Sequence, residues 1–316
     1  MEVSTIRLEL TNQCNLFCKH CFKHNRATPE YLPLKTILEI LKKAKPYGVR
    51  EIGLTGGEPT LHPQFEDIIS ALSRIGYSLH LFTNGSNLHI FHKSIARFKN
   101  SIGDIRLSLD GAEETTHDNN RGRYSYRSVR EAIKICRVEG LPFSFNTVVT
   151  QANKHELGKI AEFAVKVNCK SIFFSHLQLT KRAKRNKLEL SIRECISADR
   201  KILELKEKYA GKINIYLCVG YYVKSPFYVC RIPLNSFSID CRGNINYCIL
   251  LANLDRRLNG QEIIGNAQKV DLTYARKKLI NRFLTLNRRK FEEIIGKKIS
   301  PSDHFPCRYC IRYFEN

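Results

Sequence analysis

The sequence predicts an α/β fold, in which parallel strands alternate with helices, followed by a smaller C-terminal unit. Between residues 5 and 180, six short β-like runs alternate with five amphipathic stretches, the order expected of parallel strands joined by crossover helices. The chain has 316 residues and 43% hydrophobic content, enough to bury a full α/β core. The alternation fits a partial (β/α)6 barrel of the TIM type as well as an open doubly wound sheet.

The predicted elements follow one another in a regular order from the N-terminus. The strand candidates are residues 5–11, 51–56, 78–85, 104–111, 143–150 and 171–178. The helical stretches are residues 34–48, 64–76, 88–99, 128–140 and 154–168, and their apolar residues recur at intervals of three and four. Several of these stretches end at glycine, the residue that commonly follows the last turn of a helix.

The regular alternation ends after residue 180. A basic run, "KRAKRNK" at 181–187, leads into a predicted helix at about 191–209 and a strand at 212–217. A hairpin is then expected from residues 235–240 and 244–250 around "CRGN". We therefore expect a barrel domain (1–180), a basic linker with a bridging helix and strand (181–227), and a small α+β domain (228–316).

The composition limits the cell compartment and the kinds of binding partner that we expect. No run approaches the roughly 20 apolar residues of a membrane span, and the N-terminus lacks the features of a signal peptide, so we expect a cytoplasmic protein. Thiols stay reduced there, so twelve cysteines indicate metal binding or catalysis. The net charge of +22 indicates a solvated basic surface or an acidic partner. Nucleic acid is not favoured, because no recognition motif places aromatic residues among these charges.

Three cysteines lie close together in "LTNQCNLFCKHCF", residues 10–22. Cys14, Cys18 and Cys21 have the spacing C-x3-C-x2-C and follow the first predicted strand, on the edge of an α/β fold where ligands bind. Three thiolates can hold three irons of a [4Fe–4S] cluster and leave the fourth iron without a protein ligand. A zinc site is the alternative, with His20 or His24 as the fourth ligand.

This spacing resembles the cluster motif of the radical S-adenosylmethionine (SAM) superfamily, with His20 at a position that is normally aromatic or His. The resemblance implies that the open iron chelates the amino and carboxylate groups of SAM. One electron then cleaves the S–C5′ bond, giving methionine and a 5′-deoxyadenosyl radical that abstracts a substrate hydrogen. It also implies an electron donor such as flavodoxin or ferredoxin.

The resemblance extends to the segments that contact SAM in similar proteins. "TGGEP" (55–59) corresponds to a turn that meets the SAM amino group, and its two glycines permit a close backbone approach. "SLDG" (108–111) and "HDNNRG" (117–122) correspond to segments that contact the ribose and carboxylate, whereas Asp110 is expected only to cap its turn. The implied SAM-binding residues are Gly56, Gly57, Glu58, Pro59, Ser108, Arg121 and Asn84.

A second cysteine group lies near the C-terminus, where C-x12-G-x4-C is followed by C-x2-C. This spacing resembles the C-terminal extension of SPASM and twitch proteins and implies one auxiliary [4Fe–4S] cluster, as in the twitch type. Its implied ligands are Cys230, Cys248, Cys307 and Cys310. Cys241 could replace Cys230, but we expect it to be idle. Four cysteines also suit a zinc site, which is the alternative.

The resemblance leaves the substrate open. It slightly favours a radical SAM oxidoreductase or maturase that modifies a peptide of ribosomal origin (a RiPP), with dehydrogenation or epimerisation of a sugar or aminocyclitol as the alternative. A molybdenum-cofactor cyclase is disfavoured because the chain ends in "RYFEN" without a Gly-Gly tail. A non-catalytic iron–sulfur or zinc protein that contacts RNA is the alternative of a different class. His62 and His176 are expected to be hydrogen-bonded structural residues.

Overall fold

The computed structural model describes residues 3–23, 28–218, 221–252, 254 and 258–315, so His24 lies outside the described residues. The chain forms two compact units. The first unit contains Met1–Cys14, Lys23–Leu79 and Val223–Asn316, and the second contains Asn15–Phe22 and His80–Tyr222. Each is described in turn below.

The described residues form ten strands and eleven α-helices. The strands are β1 (Thr5–Glu9), β2 (Glu51–Thr55), β3 (Ser78–Thr83), β4 (Ile102–Ser108), β5 (Phe143–Val149), β6 (Ser171–His176), β7 (Asn214–Leu217), β8 (Ser236–Ile239), β9 (Asn244–Asn246) and β10 (Ile263–Asn266). The helices are α1 (Leu34–Ala44), α2 (Phe65–Ile75), α3 (Leu88–Arg97), α4 (Glu114–Arg121), α5 (Ser125–Glu139), α6 (Leu157–Lys166), α7 (Lys181–Arg185), α8 (Ile192–Lys208), α9 (Ile232–Asn235), α10 (Leu272–Ile295) and α11 (Pro306–Glu315). Short 3-10 turns lie at Lys45–Tyr47, Pro59–Leu61, Lys99–Ser101 and Pro301–His304.

In the first unit, β1 is the central strand. It pairs in parallel with β2 on one side and with β8 on the other, and β9 and β10 continue the sheet in antiparallel pairing. Side chains alternate along β1, so Ile6 and Leu8 point to one face while Arg7 and Glu9 point to the other. Ile6, Leu8 and Glu9 are all fully buried, which makes Glu9 an unusual residue for this strand.

In the second unit, β4, β5, β6 and β7 pair in parallel in that order. Helices α5 and α6 bury apolar faces whose residues are spaced three and four apart, including Val129, Ala132 and Ile133 on α5 and Ile160 and Ala164 on α6. Burying a valine or isoleucine side chain contributes about 1.5–3 kcal/mol. The parallel strands all end on the same edge, and the residues considered below follow those ends.

The predicted α/β fold with parallel strands is confirmed. All six predicted strands and all five predicted helices are present within a few residues of their expected positions, and β8 and β9 form the expected hairpin. Six of these strands and α-helices were not predicted, namely β10 and the helices α4, α7, α9, α10 and α11. No helix in the described ranges is both long and apolar enough to cross a bilayer.

Candidate functional site

In the first unit, the "TGGEP" turn packs directly against the backbone that leads to Cys14. The Gly57 amide donates to the Thr11 carbonyl at 2.8 Å, and the Glu58 amide donates to the Gln13 carbonyl at 2.7 Å. A Cβ atom on Gly57 would lie 2.0 Å from the Gln13 carbonyl oxygen. Glycine is therefore required here by the packing of two backbone segments, independently of any ligand.

The Glu58 side chain is held in a fixed direction within this turn. It is 1% exposed, and its Oε1 accepts a 2.7 Å hydrogen bond from the Thr60 hydroxyl. Its carboxylate also accepts from the Thr60 amide and so caps the 3-10 turn that begins at Pro59, which is buried. This arrangement fixes a buried anion beside the segment that carries Cys14.

In the second unit, the loop with Cys18 and Cys21 is fastened to the end of α4. The Lys19 amide donates to the Asn120 carbonyl at 2.9 Å, and the Cys18 thiol lies 3.7 Å from the Arg121 carbonyl oxygen, to which it donates. Burial raises the pKa of Cys18 to about 11, although the positive charge of Arg121 opposes this rise. A thiolate at Cys18 therefore requires a cation nearby, such as a metal centre or this guanidinium.

A buried carboxylate, Asp110, lies beneath this loop. Its Oδ2 is 2.6 Å from His20 Nε2 and 2.6 Å from Arg121 Nε, and its Oδ1 accepts a 2.9 Å hydrogen bond from the Val148 amide. Burial alone would raise the pKa of Asp110, but Arg121 and His20 hold it below its ordinary value. Asp110 is thus an anion that two basic side chains share, rather than the simple turn cap expected from the sequence.

Asn84 also contacts the cysteine loop. Its Nδ2 donates to Asn15 Oδ1 at 2.8 Å, and its own Oδ1 accepts from the Ser86 amide at 2.9 Å. Asn15 follows Cys14 directly in the sequence. Ser108, the last residue of β4, is half-buried and aligned with Asn146 of β5.

The two histidines expected to be structural are hydrogen bonded. His62 Nε2 lies 3.0 Å from the Leu32 carbonyl, and its Nδ1 accepts from the Gln64 amide at 3.0 Å. His176 Nε2 lies 2.7 Å from Asp199 Oδ1, and both residues are 7% exposed.

Four C-terminal thiols lie near one another in the first unit. Burial raises the pKa of Cys310 well above its ordinary value, and the nearby thiols of Cys248, Cys307 and Cys230 raise it further. Across residues 3–23, 28–218, 221–252, 254 and 258–315, no three His, Cys, Asp or Glu side chains converge as tightly as metal ligands do. The donor set of four thiols nevertheless has the chemistry of an iron–sulfur or zinc site.

Cys241 lies in different surroundings from these four thiols. Its Sγ is 3.8 Å from Glu30 Oε2. Burial raises its pKa to about 12, and the charges of Glu9, Asp240 and Glu30 add to the rise. Carboxylates oppose the thiolate form that a metal ligand must adopt. The surroundings of Cys241 therefore disfavour the thiolate form of its side chain.

Two charged features of β1 were not anticipated from the sequence. Arg7 is aligned with Ser238 of β8, which is in turn aligned with Asn246 of β9, two residues before Cys248. Burial raises the pKa of Cys230 and Cys248, and the positive charge of Arg7 opposes the rise. The signal was present in the sequence, because a charge at alternate positions of a buried parallel strand is rare.

The second of these features is an ion pair. Glu9 Oε2 lies 2.8 Å from Lys23 Nζ, and the two side chains are 0% and 10% exposed. Lys23 follows the cysteine loop, so this pair ties the chain just after the loop to the strand just before it. Removing only one partner of such a buried pair strongly destabilises the folded protein, because the other charge is left buried and unpaired.

Comparisons with known proteins agree with this geometry. Residues 8–164 match the family model of the radical SAM superfamily. The chain is 29% identical over 226 residues to a GTP 3',8-cyclase of Helicobacter pylori, an alignment that covers 68% of this chain and 69% of that protein. It is 28% identical over 226 residues to a PqqA peptide cyclase of Methylorubrum extorquens, covering 69% of this chain and 58% of that protein.

Among solved structures, Streptococcus suis SuiB bound to precursor peptide SuiA is similar with a TM-score of 0.68 and 16% identity. This match covers 87% of the present chain and 64% of SuiB, so the chain spans less than two thirds of SuiB and of the peptide cyclase. The likeness confirms the predicted partial-barrel fold. The chain thus carries a domain of the radical SAM superfamily over residues 8–164.

Proposed function

We propose that this radical SAM enzyme modifies a peptide, in the manner of RiPP maturation. The observation that carries the proposal is the similarity to a PqqA peptide cyclase over 69% of the chain. The shared fold with SuiB, whose structure contains a precursor peptide, supports it. The net charge of +22 also suits a peptide with an acidic leader, because opposite charges speed association.

We propose that Cys14, Cys18 and Cys21 hold the SAM-cleaving cluster, on the basis of their spacing and of the radical SAM domain around them. When bound, the cluster and SAM supply a 5′-deoxyadenosyl radical, formed with methionine by one-electron cleavage of the S–C5′ bond, which removes a hydrogen atom from the substrate. The residues of this chain hold the three cysteines, of which Cys18 is buried and Cys14 and Cys21 are half-buried. A flavodoxin or ferredoxin is the proposed electron donor.

The proposed SAM contacts have distinct roles. In the first unit, the Glu58 carboxylate is oriented by Thr60 and suits an ammonium group, while the Gly56–Gly57 backbone and Pro59 shape the turn. In the second unit, Arg121 offers a guanidinium for a carboxylate. Ser108 and Asn84 are the remaining proposed contacts, and Asn84 also holds the loop through Asn15.

We propose an auxiliary [4Fe–4S] cluster in the first unit. The ligand set is Cys230, Cys248, Cys307 and Cys310, and it is supported by the effect of the first three thiols on the pKa of Cys310. Arg7 supplies a positive charge that favours bound thiolates. The predicted C-terminal domain, 228–316, is proposed as the unit that this cluster stabilises. A zinc ion held by the same four thiols is the alternative.

Two other reactions compete with peptide modification. The similarity to a GTP 3',8-cyclase favours a nucleotide substrate, and it is as extensive as the similarity to the peptide cyclase. Oxidation or epimerisation of a sugar or aminocyclitol is the alternative that the sequence left open. The three proposals differ in the substrate that accelerates the formation of 5′-deoxyadenosine.

The test is an anaerobic assay of the reconstituted protein with SAM and dithionite. GTP and synthetic peptides encoded by short open reading frames beside the gene are added separately, and a Cys18→Ala variant is the control. We expect 5′-deoxyadenosine and a change in peptide mass only with the wild-type protein and a peptide. Conversion of GTP, with every peptide unchanged, would contradict the proposal.

A further inference from the structure

One carboxylate oxygen in the second unit holds two functional segments at once. Asp110 Oδ2 lies 2.6 Å from His20 in the cysteine loop and 2.6 Å from Arg121 at the end of α4. We propose that Asp110 is a positioning residue, which couples the placement of the cysteine loop to the binding of the SAM carboxylate at Arg121. This inference rests on the proposed function.

The Asp110 carboxylate is itself held rigidly. It is fully buried, and its Oδ1 accepts a 2.9 Å hydrogen bond from the Val148 amide of β5. Its backbone amide donates to His117 Nδ1 at 3.2 Å, and its backbone carbonyl accepts from Asn153 Nδ2 at 2.9 Å. The Asp110 side chain is therefore anchored to the edge of the sheet. It can hold His20 and Arg121, the two groups that it contacts, in fixed positions.

Asp110 holds the cysteine loop in place through His20, which lies between Cys18 and Cys21. His20 is 7% exposed, and its ring reaches the carboxylate through Nε2. The Lys19 amide donates to the Asn120 carbonyl, the Cys18 thiol donates to the Arg121 carbonyl, and the exposed Lys19 ammonium donates to Asn119 Oδ1. Asp110 contributes a buried contact to an anion, and hydrogen bonds to charged groups are stronger than those between neutral groups.

Arg121 receives its orientation through the other contact. A guanidinium carries five N–H donors in one plane, and Nε of Arg121 lies 2.6 Å from Asp110 Oδ2 in the ion pair. This ion pair holds the guanidinium beside the buried carboxylate, while its terminal N–H groups can still bind the carboxylate of a ligand in bidentate fashion. A change at Asp110 must therefore alter the loop and the carboxylate-binding group together.

The test compares Asp110→Asn with a matched control, Asp199→Asn. Asp199 also forms a buried ion pair with a histidine in the second unit, at 2.7 Å from His176, and its other carboxylate oxygen accepts from the Tyr222 amide, so both of these partners lie outside the cysteine loop. Iron content, the dissociation constant for SAM, and the EPR spectrum of the reduced cluster with and without SAM are measured for each protein. The results for the variants are compared at equal iron content.

We expect Asp110→Asn to weaken SAM binding about tenfold or more, because a charged contact is lost. Its EPR spectrum should respond less to SAM, whereas Asp199→Asn should match the wild type. Should Asp110→Asn fail to fold, His20→Asn removes the loop contact alone and should change the same two measurements. Wild-type SAM affinity and EPR response in the soluble variant, or equal losses in both aspartate variants, would overturn the inference.

A double-mutant cycle with His20→Asn and Asp110→Asn tests the coupling itself. We expect the double variant to bind SAM no more weakly than Asp110→Asn alone, because the two changes remove one interaction. Additive losses would contradict a shared role. Failure of the proposed function would be recognised separately, because wild-type protein would then hold no iron or show no EPR response to SAM.

Discussion

At the scale of single residues, the candidate site depends on small backbone distances and on buried charges. Gly57 illustrates the first, because a Cβ atom at this position would overlap the Gln13 carbonyl. His176 illustrates the second, because its pairing with Asp199 stabilises the charged imidazolium inside the second unit. Each of these two residues leads to a prediction that can be measured.

Gly57→Ala should displace the backbone before Cys14, because the new Cβ would meet the Gln13 carbonyl oxygen at 2.0 Å. We expect reduced iron incorporation at the first cluster and a lower melting temperature. Gly158→Ala, at the second residue of α6, is the control, because its Cβ would meet nothing within 4 Å and alanine favours a helix more than glycine does. Equal iron content in wild type and Gly57→Ala would contradict this account of the turn.

The His176 pair should contribute stability that depends on pH. Burial lowers the pKa of His176, but the contacts with Asp199 and Cys195 together more than offset this and raise it from 6.5 to about 9. Because the folded pKa exceeds the unfolded one, the contribution is complete below pH 6.5 and is lost as pH rises towards 9. Urea unfolding of wild type and His176→Asn should therefore differ more at pH 6 than at about pH 9.5. If the difference in unfolding free energy between the two proteins grew with pH, the folded protein would instead hold the imidazole in its neutral form.

At the scale of elements, β1 and α11 determine the environment of the C-terminal thiols. Cys307 and Cys310 are three residues apart on α11 and so lie on one side of that helix. Tyr247, beside Cys248, packs against Phe314 of the same helix with ring centroids 5.2 Å apart. The helix and the end of the hairpin are thus packed together within the first unit, next to the charge of Arg7.

Cys310→Ala should remove the auxiliary cluster, whereas Cys241→Ala should keep it. The expected loss is about four irons per chain, the content of one cubane. Iron analysis of both variants after anaerobic reconstitution is the measurement. The assignment would be reversed if Cys241→Ala lost the iron and Cys230→Ala retained it.

Arg7→Gln should make the reduction potential of the auxiliary cluster more negative, because a nearby cation stabilises the reduced, more negative state. The expected shift is on the order of tens of millivolts, which potentiometric EPR titration resolves. Arg74→Gln carries the same charge change at an exposed position on α2 of the same unit, and it should leave the potential unchanged. An unshifted potential in Arg7→Gln would remove Arg7 from the cluster environment.

At the scale of the whole molecule, the sequence predicted regular structure better than the contacts within the site. The six parallel strands follow from short apolar runs, and the helices between them from apolar periodicity. Helix α10 was missed because its buried side includes Arg276 and Lys290, whose charges are bound by the backbone carbonyls of Leu234 and Tyr228. Such pairing depends on tertiary contacts, which periodicity does not reveal.

The candidate site was predictable where its chemistry is local in sequence. The spacing of Cys14, Cys18 and Cys21 lies within one loop, and the glycines of "TGGEP" lie within one turn. The shared role of Asp110 was not predictable, because His20 and Arg121 are 90 residues and 11 residues away from it along the chain. Only the folded second unit brings these three side chains together.

A count of iron, acid-labile sulfide and zinc per chain after anaerobic reconstitution tests both proposed clusters in one sample. Two [4Fe–4S] clusters predict about eight irons with matching sulfide and no zinc. About four irons with one zinc would contradict the auxiliary cluster and leave the C-terminal thiols a structural zinc site. A protein that takes up no iron would contradict the central claim that this chain cleaves SAM at a cluster.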